Sequence, residues 1–331
     1  MTPSQTCKAT LGWLQFNSPG GRNKLRGARL ILMLHRVLAD DNAAALPHRA
    51  ELCIGQLAFA RLLAWLRQHF VCVPLEDLLT APSDGLTRIA LTFDDGWRDN
   101  AEVAYPLLAH YRVPASIFLS TDFIGNPRGF WWESIGETLW CSAGAPARSL
   151  LLQRLAECGA PPLPANFDSL PERRRSRALA IYLQSLKALP ATTLQHLANA
   201  CPQEALHAMN WEQVAELERS GWVRFGPHGA GHGILTKLDD AALTDDLQRS
   251  HLALATHCQT PLPIYCYPNG DHDSRVRQAV AQLGYRRALG THPGLYRDGD
   301  DPLALARIGV SHPMARHPGL FAWRLMRSLA Q

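Results

Sequence analysis

Arg88-Ile-Ala-Leu-Thr-Phe-Asp-Asp-Gly-Trp97 is the stretch on which the reading of this 331-residue chain turns. Ile89 to Phe93 is a short apolar and β-branched run, the composition of a buried strand. It ends in two adjacent carboxylates, Asp94 and Asp95, followed at once by Gly96. Consecutive strand residues point to opposite faces, so two acids in a row do not suit a core. At a strand end the backbone turns, Gly96 admits the tight turn, and both acids can reach one pocket. A solvated Asp-Asp-Gly turn is the plain alternative.

A second stretch decides between these readings. Phe225-Gly-Pro-His-Gly-Ala-Gly-His-Gly233 places His228 and His232 four residues apart. That spacing puts both imidazoles on one face of a helix, but the glycines and Pro227 in and around the pair argue for a loop. The apolar run Trp222 to Phe225 leads into it as another strand. Two imidazoles and a carboxylate make a three-ligand site with an open fourth position, the arrangement of catalytic rather than structural zinc.

Thr92-Phe-Asp-Asp-Gly96, the His-x-x-x-His of 228 to 232 and Tyr267-Pro-Asn-Gly-Asp271 occur in that order. Together they resemble the polysaccharide deacetylases, carbohydrate esterase family four, with the NodB-homology domain. Ile31-Leu-Met-Leu-His-Arg36, Val113-Pro-Ala-Ser-Ile-Phe-Leu119 and Gly284-Tyr285 are similar to supporting segments of that family. The likeness covers roughly residues 28–135 and 209–312, and its first motif is the most specific part.

The resemblance implies roles. Asp95, His228 and His232 are expected to hold a divalent metal, most naturally Zn2+. Asp94 is expected to act as general base, and the loop Tyr267, Pro268, Asn269 and Gly270 to bind substrate, with the backbone N–H near Asn269 meeting the oxyanion. His35, at the end of the first strand, is a candidate for lining the same site. The expected reaction is removal of N-acetyl groups from sugars of a polysaccharide or lipid-linked glycan.

Three departures stand out. Gly229 follows the first His where the family usually has Ser or Thr, so a loop-bracing hydroxyl is missing. Cys266 and Tyr267 precede Pro268 where an Arg that orients the base often stands; Arg307, on the final strand, is the candidate to supply that charge. The family's closing Leu-x-His, source of the general acid, has Val310-Ser-His312 as its nearest counterpart, which makes His312 the candidate acid.

Composition sets the bounds. Apolar residues make up 47% and charged residues 19%, as in ordinary folded globular chains, and the net charge is +4. No dense basic stripe with interleaved aromatics supports a nucleic-acid partner. The eight cysteines are scattered without a Cys-x-x-Cys pair, which favours free thiols and a reducing compartment. Residues 1–27 contain no continuous apolar leader, and the longest apolar run, Leu30 to Leu34, is too short to span a bilayer. The expected location is the cytoplasm, with membrane association as a secondary expectation. Pro318 to Leu329, apolar and basic, reads as a helix docked on the domain, with peripheral membrane contact as its second reading.

Seven buried strands (30–34, 89–93, 115–119, 222–225, 264–267, 286–289 and 305–310) alternate mostly with helices, which implies a parallel sheet. With the resemblance this gives an α/β fold, a distorted seven-stranded (β/α) barrel. Residues 1–27 are expected as a poorly ordered lead-in or loose cap, residues 28–331 as one domain, and about 134–208 as a helical insertion. Other readings use the same residues: a metal-dependent O-acetyl esterase or cyclic-amide hydrolase, a non-catalytic glycan-binding relative, or a nucleotide-using α/β enzyme. A non-catalytic relative should have lost one of Asp94, Asp95, His228 or His232, and none is lost. No Gly-x-Gly-x-x-G fingerprint supports nucleotide use.

Overall fold

The computed structural model describes the chain except residues 45, 47, 48, 50, 51, 83, 142, 143, 203–206 and 329–331. The strands are β1 (Arg29–Leu34), β2 (Arg36–Leu38), β3 (Cys53–Gly55), β4 (Val71–Cys72), β5 (Arg88–Phe93), β6 (Ala115–Leu119), β7 (Val223–Pro227), β8 (Ile264–Cys266), β9 (Arg287–Leu289) and β10 (Ile308–Gly309). The parallel sheet expected from strand–helix alternation is present. Its order is β10-β1-β5-β6-β7, with β4 paired to the first residues of β5. β5 is central, and Ile89, Ala90, Leu91 and Phe93 are all buried, as a strand covered on both faces requires.

The seven-stranded barrel is not confirmed as one ladder. β8 pairs only with β9, and β2 with β3, in separate two-stranded sheets. Leu262 N–H donates to Phe225 O at 2.7 Å, but Pro261 and Pro263 on either side have no N–H to extend that contact towards β8. On the other side a bridge joins Leu289 to Leu305, and the chain then runs on to β10. The strand ends are thus arranged around a common rim, while continuous pairing lapses on both sides of the β8–β9 pair.

Residues 1–27, expected as a lead-in or loose cap, contain two helices, Pro3–Asn17 and Pro19–Leu25. A capping box between Thr2 and Gln5 starts the first, and it packs along the C-terminal helix Pro318–Ser328. Gly12 makes the crossing close, since a Cβ there would sit 2.4 Å from Gly319 O. The predicted end of that last helix, Leu329, lies outside the described residues.

Four helices, Trp131–Cys141, Pro146–Glu157, Glu172–Leu186 and Ala191–Asn199, occupy the segment read as a helical insertion. Ile135, Leu139, Leu155, Leu179, Leu186 and Leu197 gather in a core of their own, apart from the one on the sheet. The acid pair of β5 is followed by a segment that one helix could have spanned. The chain instead makes a π-type turn at Asn100–Ala104 before the helix Tyr105–Tyr111, where Pro106 lacks a donor for a regular start. All eight cysteines are free thiols. Among the described residues no helix is long and apolar enough to cross a membrane.

Candidate metal centre

β5 ends where its carboxylates begin. Asp94 N–H still bonds Leu34 O of the neighbouring strand at 3.0 Å, whereas Asp95 turns into the left-handed region at φ 75°. Such backbone in a non-glycine residue persists only where surrounding contacts fix it. The fixing contacts are visible: Ser120 N–H donates to Asp95 O, Met209 N–H to Gly96 O, and Trp97 Nε1–H to Asp95 Oδ2 at 2.7 Å. The turn sends the two acids to different partners.

Asp95 Oδ1 is buried and accepts no hydrogen bond. Its near neighbours are His232 Nε2 at 3.1 Å and His228 Nε2 at 3.5 Å. His228 Nδ1–H donates to Cys266 O at 2.9 Å, which fixes the tautomer and leaves Nε2 with a lone pair facing Asp95. Burial lowers the His228 pKa to about 4, so this imidazole is neutral near pH 7. Burial by itself would raise Asp95; His232, His35 and His228 around it bring its carboxyl down to about 2.

One ligand atom from each of Asp95, His228 and His232 lies within 4.8 Å of the others. An orphaned buried carboxylate oxygen beside two lone-pair nitrogens is what a borderline-soft divalent cation satisfies, so the residues present fit the group the sequence implied. Asp94, His228 and Cys266 form a second cluster of the same span. It suits a cation poorly, because burial keeps the proton on the Cys266 thiol and the Arg307 guanidinium already occupies Asp94.

The histidine loop is held from two sides. Asp246, on the helix Asp240–His257, accepts from Ala230 N–H at 3.0 Å and Gly231 N–H at 2.9 Å. Opposite, Thr121 N–H donates to Gly229 O and Asp122 N–H to Ala230 O. Gly229 has φ 70°, and a Cβ there would lie 2.8 Å from Asp246 Oδ1 and 3.1 Å from Pro268 Cγ. The missing Ser or Thr therefore has a structural counterpart: a carboxylate from another helix braces the loop, and it leaves no room for a side chain at 229.

Arg307 is fully buried and grips Asp94 end-on, with its two terminal nitrogens donating to Oδ1 at 2.7 Å and Oδ2 at 2.8 Å. Its Nε–H donates to Gly290 O at 2.8 Å, and it also reaches Thr92 Oγ1. Burial alone would raise the Asp94 carboxyl; the guanidinium foremost, with His228 and His35, holds it well below the usual carboxylate range. Asp94 is thus a charged carboxylate in an interior site.

The other candidate residues separate. His35 Nε2 lies 3.9 Å from Asp94 Oδ2 with its side chain 18% exposed, and its backbone carbonyl is held by Asn100 Nδ2 at 2.8 Å. His312 is buried, its Nδ1 accepting from Gly55 N–H at 3.1 Å. No contact between His312 and Asp94, Asp95, His228 or His232 is recorded among the described residues. Tyr267 is buried with its hydroxyl donating to Leu303 O at 3.0 Å, so it supports the loop from below. Pro268 packs at Gly229, and Asn269 is exposed with φ 59°. The Asn269 side chain accepts from Lys187, just beyond the helix Glu172–Leu186, and donates to Asp271.

Sequence reasoning missed Trp97, Asp246 and Cys266, and weighed Trp132 only as a sugar platform or a helix anchor. Trp97 stood in the decisive stretch without a role, though an indole directly after Asp-Asp-Gly is a donor at close range. The Trp132 ring lies 4.5 Å from the His232 ring, while its neighbour Trp131 belongs to the helical segment's core. Asp246 carried no signal, since one acid on a charged helix reads as solvent-facing.

A family model described as polysaccharide deacetylase matches residues 83–153 and 163–288, more than half of the chain and well into the helical segment. The chain is 25% identical over 133 residues to YxkH of Bacillus subtilis strain 168, named as a polysaccharide deacetylase. That stretch covers 39% of this chain and 42% of YxkH, so it spans less than half of that relative. Among solved structures, the Streptococcus pyogenes deacetylase PplD in complex with acetate superposes with a TM-score of 0.57 at 17% identity, covering 91% of this chain and 98% of its own. A de-N-acetylase from Aggregatibacter actinomycetemcomitans gives a TM-score of 0.50 at 15% identity, covering 86% and 95%. At such identities these two similarities bear on the fold alone.

Proposed function

Because the chain belongs to the polysaccharide deacetylase family, we propose that it is a metal-dependent hydrolase that removes N-acetyl groups from the sugars of a polysaccharide or lipid-linked glycan. The observation that carries this is the pairing of two neighbouring acids in opposite conditions. Asp95 offers an unpaired buried oxygen to two imidazoles, and Asp94 is kept charged beside it by Arg307.

Asp95, His228 and His232 would hold the cation, which when bound supplies a Lewis acid for the acetyl carbonyl and acidifies water. Asp94 is the proton acceptor. Its Oδ1 takes Arg307 and the Cys266 thiol, and its Oδ2, with one bond from Arg307, is the oxygen that faces His35. Water adds to the carbonyl carbon as its proton passes to Asp94, and the carbon–nitrogen bond breaks to give acetate and a free amine. The leaving nitrogen needs a proton, and we assign it to His35, the partly exposed imidazole at the site, rather than to His312 on Gly55. The proton on Asp94 then restores His35. The backbone near Asn269 is assigned to the oxyanion, with Tyr267, Pro268 and Gly270 shaping that loop.

An N-acetyl substrate agrees with the name of the Aggregatibacter protein, and acetate as product with the PplD complex. The test is acetate release by the Zn2+-loaded protein from N-acetylglucosamine oligomers, set against O-acetylated sugars of the same length. Release from the amides supports the reading. Release from the esters alone assigns the O-acetyl esterase reading instead.

A further inference from the structure

The two ends of the chain are basic, and of their cations Arg307 alone has been placed in the deacetylase site. Residues 1–39 hold six Lys or Arg and no Asp or Glu, and residues 302–331 hold four more, again without an acid. The whole chain is only +4, so the stretch between is net acidic. The fold brings these two basic ends together, because the helix Pro3–Asn17 packs along the helix Pro318–Ser328. Lys8, Arg22, Lys24, Arg26, Arg316 and Arg327 are exposed, and none has an acidic partner within salt-bridge distance among the described residues.

The same helix turns apolar residues outward. Gly12 and Phe16 are its buried residues. Leu11 and Leu14 are 42% and 54% exposed, and Trp13 beside them is 56% exposed. Leu11, Leu14 and Gln15 follow the i, i+3, i+4 spacing of a single helical face, and Ser18 caps the helix just beyond it. Gln15 and Ser18 also form one wall of a cleft of about 540 Å³, whose other walls include Lys24, Trp323, Met326 and Arg327. The two exposed leucines thus share the helix face of Gln15, which borders a recess flanked by two cations. Burial of apolar side chains at the acyl boundary, reinforced by attraction to anionic headgroups, is how such helices lie on a bilayer.

We propose that this face docks on an anionic phospholipid surface, with Leu11 and Leu14 entering the interface and Lys24 and Arg327 meeting headgroup phosphates. The proposal is independent of the metal centre and of its substrate. The test is flotation of the full chain with phosphatidylcholine vesicles and with vesicles containing phosphatidylglycerol, at low and high salt. The expected result is flotation only with phosphatidylglycerol, weakened by salt. It should fall at least about tenfold in Leu11→Asp/Leu14→Asp and in Lys24→Glu/Arg327→Glu, with unchanged melting curves because these positions are at the surface. Wild type that stays with the soluble fraction at low salt, or variants that float as wild type does, overturns it. A dimer in solution that Leu11→Asp/Leu14→Asp dissociates would assign the face to a second copy and overturn it equally.

Discussion

Arg307 and Asp94 meet across 213 positions in a two-point contact, each carboxylate oxygen receiving one guanidinium N–H. Arg307 is fully buried and Asp94 nearly so. A carboxylate there without a partner would take up a proton, so the pair keeps Asp94 ionised at the cost of burying two charges. The third motif lacks the arginine that orients the base in many family members, and this contact places a guanidinium on the base from the last strand.

Arg307→Met removes that partner without replacing its charge. It should lower acetate release at least about a hundredfold and destabilise the fold by about 3–5 kcal/mol, the usual result of leaving one member of a buried pair. Arg307→Lys restores a charge but not the two-point contact, and should recover part of the turnover. Turnover, together with denaturant melts of each variant, checks this. Wild-type turnover in Arg307→Met would remove Arg307 from the mechanism.

Asp246 touches none of the proposed ligands, yet it holds the loop between them through two backbone N–H groups. Asp246→Ala leaves both donors without their acceptor. Zn2+ affinity should weaken about 10–100-fold, as when other supports of metal ligands are lost. Asp246→Asn keeps one acceptor oxygen and should fall between. Competition with a chelating dye measures it; unchanged affinity in the alanine variant would show that Thr121 and Asp122 suffice.

Stability of the metal-free protein should fall on acidification below neutrality. Burial depresses both His207 and His228 to about 4, whereas the unfolded chain titrates them near 6.5. Between those values the unfolded state binds more protons, so stability rises with pH across that window and is lost as pH falls towards 4. Asp99 and Asp246, both shifted up by burial, bind protons in the folded state at the acid end and oppose part of the trend. His207→Gln should flatten the dependence of Tm on pH between about 4 and 6.5. A variant with the wild-type slope would contradict this account of His207.

The central strand and its acid pair were legible in the sequence because they are local: an apolar run, two carboxylates and a glycine within ten residues. The histidine pair was legible for the same reason. Barrel closure was not, since whether short strands such as β8 and β10 pair continuously depends on neighbours distant in sequence and on prolines beside them. The N-terminal helices read as a lead-in because Pro19-Gly-Gly21 breaks the stretch; a capping box and a partner helix some 300 positions later stabilise them. Arg307 was chosen by its position on the last strand, and its guanidinium lies on Asp94. His312 was chosen by its similarity to a motif; its Nδ1 accepts from Gly55 N–H, and its Nε2 is buried without a hydrogen-bond partner.

The division of labour between the two acids is tested most directly by metal content and acetate release measured together on wild type and Asp94→Asn. Asp95, His228 and His232 are untouched in that variant, and asparagine keeps the size of Asp94 and one of the two oxygens that accept from Arg307. The predicted result is metal at the wild-type level with acetate release lost. Loss of the metal would make Asp94 a ligand, and retained turnover would deny it the proton; either result contradicts the assignment.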